Sequence, residues 1–245
     1  MTDPDSSAPG PASTPAPTSR ANPTSPAVSE STGTVSSEPA GTLGAILLAG
    51  GRATRVDGAV KSLFEVGGRT LLEAAVAAAS DAGAQPITVV GPPSDHVADV
   101  TWVREDPPFG GPAAAIVEAL QHGAAVAAPD PEWTLLLACD LPSAGAAVRR
   151  LLTNIVLLPS DTDGLCLGDA ASRPQWLTGV YRTRVLRAAA SALPDHGRDA
   201  PVRSLLAGLA ITVIAAPDDL TRDVDTWQDL EQARARAAVE TEEQS

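Results

Sequence analysis

The sequence predicts an α/β fold in which a mostly parallel sheet carries helices on both faces. Short apolar runs of strand length alternate with longer stretches that have helical start and stop signals. An order of strand, helix, strand, helix is typical of such a sheet, because parallel strands need a crossover connection. The 245 residues also suit one α/β domain of ordinary size.

The domain is expected to begin near residue 43. Residues 1–42 consist mainly of Pro, Ser, Thr, Ala and Gly, with Val28 and Val35 as the β-branched aliphatics. This segment offers too little apolar surface to offset the entropy of chain ordering, so we expect a disordered tail. It lacks the charged start and apolar stretch of a secretory signal. We expect a single domain at 43–240 and a short acidic tail at 241–245.

The first strand and the first helix have the clearest signals. The run LGAILLA (43–49) is continuously apolar and ends in a glycine pair, which is typical of a strand buried on both faces. The stretch TLLEAAVAAASDAGA (70–84) predicts a helix, because Thr70 can cap it, Glu73 follows three residues later and Gly83 can end it.

The remaining elements follow from shorter patterns. Strands are predicted at 86–91, 99–106, 132–140, 155–159, 164–168, 174–182 and 210–216. Helices are predicted at 111–128, 143–152, 183–193, 201–209 and 226–240. The second helix is expected to start at Pro112, since proline suits a first helical position. No internal repeat is evident.

Composition excludes several functional classes. The net charge of −13 opposes nucleic-acid binding, which needs a basic surface, so an anionic substrate would need a local cluster of positive groups. No window resembles a membrane span, and we expect a soluble, cytoplasmic protein. Cys139 and Cys166 are too few for a disulfide framework. No Ser/His/Asp or Cys/His spacing supports covalent catalysis.

The candidate sites follow predicted strands, at the edge of the sheet where open α/β folds bind ligands. After the first strand, Gly50 and Gly51 could let backbone amides approach a phosphate, with Arg52, Arg55 and Lys61 to offset its charge. The stretch matches neither standard nucleotide fingerprint, so a plain turn is the alternative.

Carboxylates mark three further strand or helix ends. Asp140 ends the most apolar strand and could bind a divalent cation or cap the helix that follows. Asp223 and Asp225 precede the last helix and could likewise bind or cap. In REDPPFGGPAAAI (104–116), an acidic residue before a glycine–proline turn could accept hydrogen bonds from a base or ribose, or the segment could be a solvated loop.

The order of these motifs resembles the nucleotidyltransferases of the molybdenum cofactor guanylyltransferase type. The motifs are LAGG followed by Arg55 and Lys61, then EDPPFGGPAAAI, LLLACDLPS and DVDTWQDL, and the resemblance covers about residues 43–236. It implies a three-layer α/β/α fold with a Rossmann-like sheet. It also implies Mg²⁺-dependent transfer of GMP from GTP to the phosphate of molybdopterin, with release of pyrophosphate. Molybdoenzymes or other cofactor-biosynthesis proteins are the implied protein partners.

The resemblance assigns roles to individual residues. The implied nucleotide-binding residues are Leu48, Ala49, Gly50, Gly51, Lys61, Asp106, Gly111 and Pro112. The implied catalytic residues are Arg55, Lys61 and Asp140, and the implied Mg²⁺ ligands are Asp140 and Asp225. Arg182, Arg198 and Arg203 lie in segments similar to those near the acceptor site, which suggests contacts with the pterin phosphate.

Three positions depart from the family pattern. Val60 stands where the family usually has Asp, Asp57 adds a negative charge near the expected triphosphate, and Ala115 replaces a common glycine. Two alternatives therefore stay open. One is the same chemistry with CTP or a different phosphorylated acceptor, which Asp225 also favours. The other is a nucleotide-binding protein that has lost catalysis.

Overall fold

A computed structural model of the chain describes residues 41–50, 59–125 and 129–243. Residues 1–40 of the predicted tail lie outside these ranges, as do Gly51, Arg52, Arg55 and Asp57 of the predicted phosphate loop. Among the described helices, none is long and apolar enough to cross a membrane.

The strands are β1 (Leu43–Leu48), β2 (Glu65–Val66), β3 (Arg69–Thr70), β4 (Ile87–Val90), β5 (Thr101–Val103), β6 (Trp133–Ala138), β7 (Gly164–Gly168), β8 (Pro174–Arg182) and β9 (Ile211–Ala215). The α-helices are α1 (Leu71–Asp81), α2 (Pro112–Ala125), α3 (Ala144–Ile155), α4 (Thr183–Ala192), α5 (Val202–Leu206), α6 (Asp218–Thr221) and α7 (Trp227–Glu243), and 3₁₀ turns occupy Lys61–Leu63 and Pro194–Gly197.

Seven strands form one sheet in the order β5-β4-β1-β6-β8-β7-β9. Strand β8 is antiparallel to its neighbours β6 and β7, and the other pairs are parallel, which confirms the mostly parallel sheet. Strand β1 is buried along its whole length, because β4 and β6 flank it and helices cover both faces. A continuous apolar run suits this position.

Two hydrophobic cores cover the two faces of the sheet. Buried residues of α1 and α3 pack against one face, and those of α2, α4 and α5 pack against the other. Alternate residues of β1 contribute to each core, with Leu47 in the first and Ile46 in the second. This arrangement confirms the three-layer α/β/α fold.

A third, smaller core joins the N-terminal and C-terminal parts of the domain. It consists of Phe64, Leu71, Val224, Leu230 and Ala233. The Phe64 ring lies 5.1 Å from the ring of Trp227, between centroids. The short turn at Lys61–Leu63 is thereby packed close to the start of α7, although more than 160 residues separate them in sequence.

Helix α1 begins with the reciprocal cap that the sequence predicts. The N–H of Glu73 donates to the Thr70 hydroxyl (3.1 Å), and the N–H of Thr70 donates to the Glu73 carboxylate (2.6 Å). The N–H and the hydroxyl of Thr70 both donate to the Glu73 carboxylate, and these two bonds hold the pKa of Glu73 below its usual value. Gly83 follows the helix with a φ of +72°.

The strand predicted at 155–159 is wrong. Ile155 is the last residue of α3 and is buried, whereas Val156 and Leu157 are 66% and 75% exposed. The N–H of Leu157 bonds to the carbonyl of Asn154 in a turn, so no ladder forms. The apolar run combines the end of a helical face with a surface turn, and periodicity cannot separate these in so short a segment.

The hairpin formed by β2 and β3 was not predicted. Gly67 and Gly68 connect its strands with φ values of +60° and +81°. A two-residue turn with both central residues at positive φ is typical of a tight hairpin and favours glycine. The Gly-Gly pair was the available signal, but strands of two residues are too short to show alternation.

Replacing the α1 cap should measurably destabilise the domain. We expect Thr70→Ala to lower the free energy of unfolding by about 1 kcal/mol, because the first turn loses its side-chain acceptor. Ser143→Ala is the matched control, since Ser143 precedes α3 and makes no capping bond with its side chain. Urea unfolding would compare the two variants, and equal effects would contradict this role of Thr70.

Candidate active site at the carboxyl edge of the sheet

A cleft of about 810 Å³ opens at the carboxyl edge of the parallel strands. The backbone hydrogen bonds between neighbouring strands continue one residue beyond the ends of β1, β4 and β6. The N–H of Ala49 donates to Val90, that of Gly91 to Val103 and that of Cys139 to Leu48, each at 3.0 Å. These bonds hold the loops that leave β1, β4 and β6 side by side, so residues distant in sequence face the same cleft.

Most of the described candidate residues line this cleft. They are Leu48, Ala49, Gly50, Lys61, Gly111, Pro112 and Asp140. Ala115, the departure from the family glycine, also lines it and belongs to the core under α2. Asp106 is exposed and is not among the lining residues; its neighbour Glu105 is. Gly51 and Arg55 lie outside the described residues.

Three aspartates come together beside Asp140. One carboxylate oxygen from each of Asp140, Asp223 and Asp225 lies within 4.8 Å of the others. The N–H of Val224 donates to the carbonyl of Asp140 (2.9 Å), and this bond places the residues on both sides of Val224 against the end of β6. Carboxylate oxygens are the ligands that Mg²⁺ and Ca²⁺ prefer, so this aspartate cluster could hold a divalent cation.

Lys61 supplies a positive charge to the aspartate cluster. Its ammonium group forms an ion pair with the Asp225 carboxylate, and the two side chains are 20% and 38% exposed. The position of Lys61 is fixed locally, because the Ser62 hydroxyl donates to the carbonyl of Ala49 (3.4 Å) and Phe64 packs in the small core.

The carboxylates of the aspartate cluster repel one another. Burial, the largest cause, and the charges of Asp223 and Asp225 together raise the pKa of Asp140 to about 6, against the opposing effect of Lys61. Burial and the charge of Asp225 also raise the pKa of Asp223. Negative charge at this site therefore exceeds what Lys61 offsets, and a divalent cation would relieve the excess.

Thr226 and Asp229 cap helix α7, which follows Asp225. At the start of α7 the N–H of Asp229 donates to the Thr226 hydroxyl, and the N–H of Thr226 donates to the Asp229 carboxylate (2.8 Å). Ser143 precedes α3, and no hydrogen bond joins the Asp140 side chain to the first turn of α3 among the described residues. Asp140 therefore does not cap helix α3.

The loop between β5 and α2 forms another wall of the cleft. The N–H of Phe109 donates to the Glu105 carboxylate (3.1 Å), and the guanidinium of Arg104 lies 6.0 Å from the centre of the Phe109 ring. Arg104 and Glu105 both line the cleft, yet sequence reasoning singled out neither. The acidic pair Glu105-Asp106 was the signal, and the side that each residue faces could not be inferred from a proline-rich loop.

The three arginines suggested for the acceptor site lie apart. Arg182 is at the opposite edge of the sheet, where its guanidinium pairs with Glu132 (3.1 Å) and stacks over Trp133, the first residue of β6. Arg203 lines a separate cavity of about 420 Å³ with Trp176. Arg198 is exposed and does not line the main cleft.

Comparisons of the sequence with known proteins identify a family. The model of the MobA-like NTP transferase domain matches residues 45–215. The chain is 33% identical over 168 residues to a protein of Synechococcus elongatus named probable molybdenum cofactor guanylyltransferase, covering 63% of this chain and 79% of that protein.

Solved structures share the fold at lower identity. Rv0371c of Mycobacterium tuberculosis H37Rv, in complex with manganese, matches with a TM-score of 0.53 at 21% identity, over 79% of this chain and 98% of that one. The 2-C-methyl-D-erythritol 4-phosphate cytidylyltransferase of Thermus thermophilus matches with a TM-score of 0.55 at 16% identity, over 80% of this chain and 99% of that one. These likenesses agree with the three-layer fold.

Neutralising Asp140 should stabilise the metal-free protein in a pH-dependent way. The pKa of Asp140 is higher in the folded state than in the unfolded state, so ionisation of Asp140 lowers the free energy of unfolding. This loss is absent below the ordinary pKa of 3.8 and is complete above about pH 6. We expect Asp140→Asn, in EDTA at about pH 7.5, to unfold with a free energy roughly 3 kcal/mol higher than wild type. The difference should vanish near about pH 4.

Urea unfolding at both pH values would measure this difference. Asp161→Asn is the control, because Asp161 is exposed and lies outside the cleft. A stabilisation of Asp140→Asn that does not change with pH, or that the control shares, would contradict the electrostatic account of the aspartate cluster.

Proposed function

We propose a specific reaction for this chain, which belongs to the MobA-like NTP transferase domain family and is therefore a nucleotidyltransferase. The reaction is the transfer of GMP from GTP to the phosphate of molybdopterin, with release of pyrophosphate. The observation that carries the proposal is the aspartate cluster, paired with Lys61, at the edge of a cleft that opens at the carboxyl ends of the parallel strands. The identity to the Synechococcus protein supports the guanine nucleotide and the molybdopterin acceptor.

The cleft residues suit a nucleotide triphosphate. Ala49 and Gly50 have small side chains, which leave room for a ligand at the end of β1, and the glycine–proline turn at Gly111 and Pro112 starts helix α2. A helix N-terminus favours negative charge, because its first N–H groups have no partner within the helix. Leu48 to Gly50 and this turn would hold the nucleotide, and Lys61 would offset phosphate charge. Arg55, which is not among the described residues, is proposed to offset phosphate charge together with Lys61.

We propose Mg²⁺ as the cation, held by Asp140 and Asp225 with Asp223 close by. The oxygen donors fit a hard divalent cation, and nucleotidyltransferases of this kind commonly use one. The manganese complex of Rv0371c supports a divalent ion in this fold. Bound there, Mg²⁺ would offset the phosphate charge that develops during attack on the α-phosphorus. No protein nucleophile is required, since in-line transfer needs positioning and charge stabilisation above all.

Two alternatives make different predictions. In the first alternative the nucleotide donor is CTP, which the likeness to the Thermus cytidylyltransferase favours together with Asp225. Val60, which is 44% exposed at the cleft, and Asp57 are the departures that favour a nucleotide-binding protein without turnover. A cytoplasmic location and protein partners in cofactor biosynthesis stay predictions from the sequence.

Pyrophosphate release with each nucleotide tests the reaction directly. The purified protein would be incubated with molybdopterin, Mg²⁺ and GTP, CTP, ATP or UTP in turn. We expect release with GTP and molybdopterin together and little with any other nucleotide. Faster pyrophosphate release with CTP than with GTP would identify CTP as the donor. Nucleotide binding without pyrophosphate release would contradict enzymatic activity.

Substitutions in the aspartate cluster test its catalytic role. We expect Asp140→Asn to lower kcat/KM by roughly a thousandfold, because a neutral amide binds Mg²⁺ far less well and leaves the phosphate charge less offset. Lys61→Ala should lower it by roughly a hundredfold, since one stabilising charge is lost. Asp161→Asn should keep wild-type kinetics. Near wild-type turnover by Asp140→Asn, with the fold intact by circular dichroism, would show that this aspartate does not act in the reaction.

A further inference from the structure

Asp199 is a cleft-lining carboxylate that the proposed reaction leaves without a role. It follows the turn at Pro194–Gly197 and precedes α5. Its backbone N–H donates to the carbonyl of Gly110 (2.7 Å), which ties it to the loop that starts α2. Within the described part of the chain, the Asp199 carboxylate makes no hydrogen bond and no ion pair, so its oxygens are available to a ligand.

The backbone at Asp199 is fixed before any ligand binds. Asp199 has a φ of +54°, a conformation that aspartate and asparagine adopt more readily than most residues. The preceding turn packs closely on α2, and a Cβ added to Gly197 would lie 3.3 Å from the backbone of Ala113. A residue held in this way can present its side chain to a ligand at little entropic cost.

Asp199 and the aspartate cluster come from different layers of the fold. Asp199 adjoins α2 in the helix layer that covers one face, whereas Lys61 and Asp225 are held by the small core of Phe64 and Val224. Asp140 and Asp199 line the same cleft, together with Gly111 and Leu177. The part of a ligand near Asp199 therefore need not be the part that meets the cation.

The charge of Asp199 selects what it can bind. A carboxylate repels phosphate groups and accepts hydrogen bonds, so the part of a ligand that meets it must present N–H or O–H donors. Its two oxygens can accept two parallel bonds from adjacent donors on a planar group. Glu105, the other carboxylate of this wall, already accepts a bond from Phe109. Among the residues that the structure describes, Asp199 is thus the carboxylate of this wall with both oxygens open.

We propose that Asp199 is a specificity-determining residue that accepts hydrogen bonds from the donor edge of a bound 2-amino-oxo ring, which is 2-amino-6-oxo in guanine and 2-amino-4-oxo in pterin. This edge carries a ring N–H next to an exocyclic amino group, and guanine and pterin share it. The inference rests on the proposed function, in which both rings enter the cleft: guanine as part of GTP and pterin as part of molybdopterin. Cytosine and uracil lack this pair of adjacent donors.

Inosine triphosphate provides the probe, because it lacks the 2-amino group of GTP and keeps the rest. The kinetic measurements are kcat/KM for GTP and for ITP and KM for molybdopterin, in wild type, Asp199→Asn and Asp195→Asn. Asp195 is the matched control, since it is exposed in the same turn, has a φ of +49° and does not line the cleft. Asparagine keeps the size of aspartate and tolerates its backbone conformation.

We expect wild type to prefer GTP to ITP by roughly tenfold to a hundredfold and Asp199→Asn to lose most of that preference. This result would assign Asp199 to guanine. An unchanged GTP preference with a rise of roughly tenfold or more in the KM for molybdopterin would instead assign it to the pterin, with the same chemistry. Unchanged values in Asp199→Asn, or equal changes in Asp195→Asn, would overturn the inference.

The failure of this inference and that of the proposed function are distinguishable. Wild-type protein that releases no pyrophosphate with GTP and molybdopterin contradicts the reaction itself. Wild-type protein that turns over GTP normally, while Asp199→Asn matches it in both nucleotide preference and molybdopterin KM, contradicts the role of Asp199 alone.

Discussion

The backbone hydrogen bond from Val224 to Asp140 is the contact on which the site depends. It joins a segment near the C-terminus to the end of the central strand β6 and sets Asp223 and Asp225 beside Asp140. The Val224 side chain is almost fully buried with Phe64 and Leu230, so apolar packing reinforces the bond. The same small core holds Lys61 next to Asp225, because Phe64 and Val224 both pack in it. This packing brings together residues from three distant parts of the chain, near positions 61, 140 and 225.

Electrostatics and packing oppose each other at this cluster. The partial burial of Asp140 and the negative charges of Asp223 and Asp225 raise the pKa of Asp140 and weaken the metal-free fold. The chain as a whole is acidic, with a net charge of −13, so attraction of an anionic substrate depends on local groups such as Lys61 and Arg104. A site that needs a cation to balance its charge is consistent with an enzyme that acts on phosphates in the presence of a divalent metal.

Much of the architecture could be predicted from the sequence, because buried parallel strands appear as continuous apolar runs. Strands β1 and β6 were found in this way, and the cap of α1 was found from the spacing of Thr70 and Glu73. Asp140 could be singled out because it directly follows such a run. Glu105 could not be preferred to Asp106, since side-chain direction in a proline-rich loop is set by tertiary contacts such as the bond to Phe109. Asp199 reaches the cleft through its bond to Gly110, a long-range contact with no local sequence signal.

We propose that Asp140 and Asp225 hold a divalent cation beside a bound nucleotide. Anomalous diffraction from crystals grown with Mn²⁺ and a non-hydrolysable GTP analogue would locate the ion directly. The account predicts a manganese peak in contact with the carboxylates of Asp140 and Asp225, with the nucleotide in the cleft along Leu48 to Gly50. A bound nucleotide whose metal ion contacts neither aspartate would contradict it.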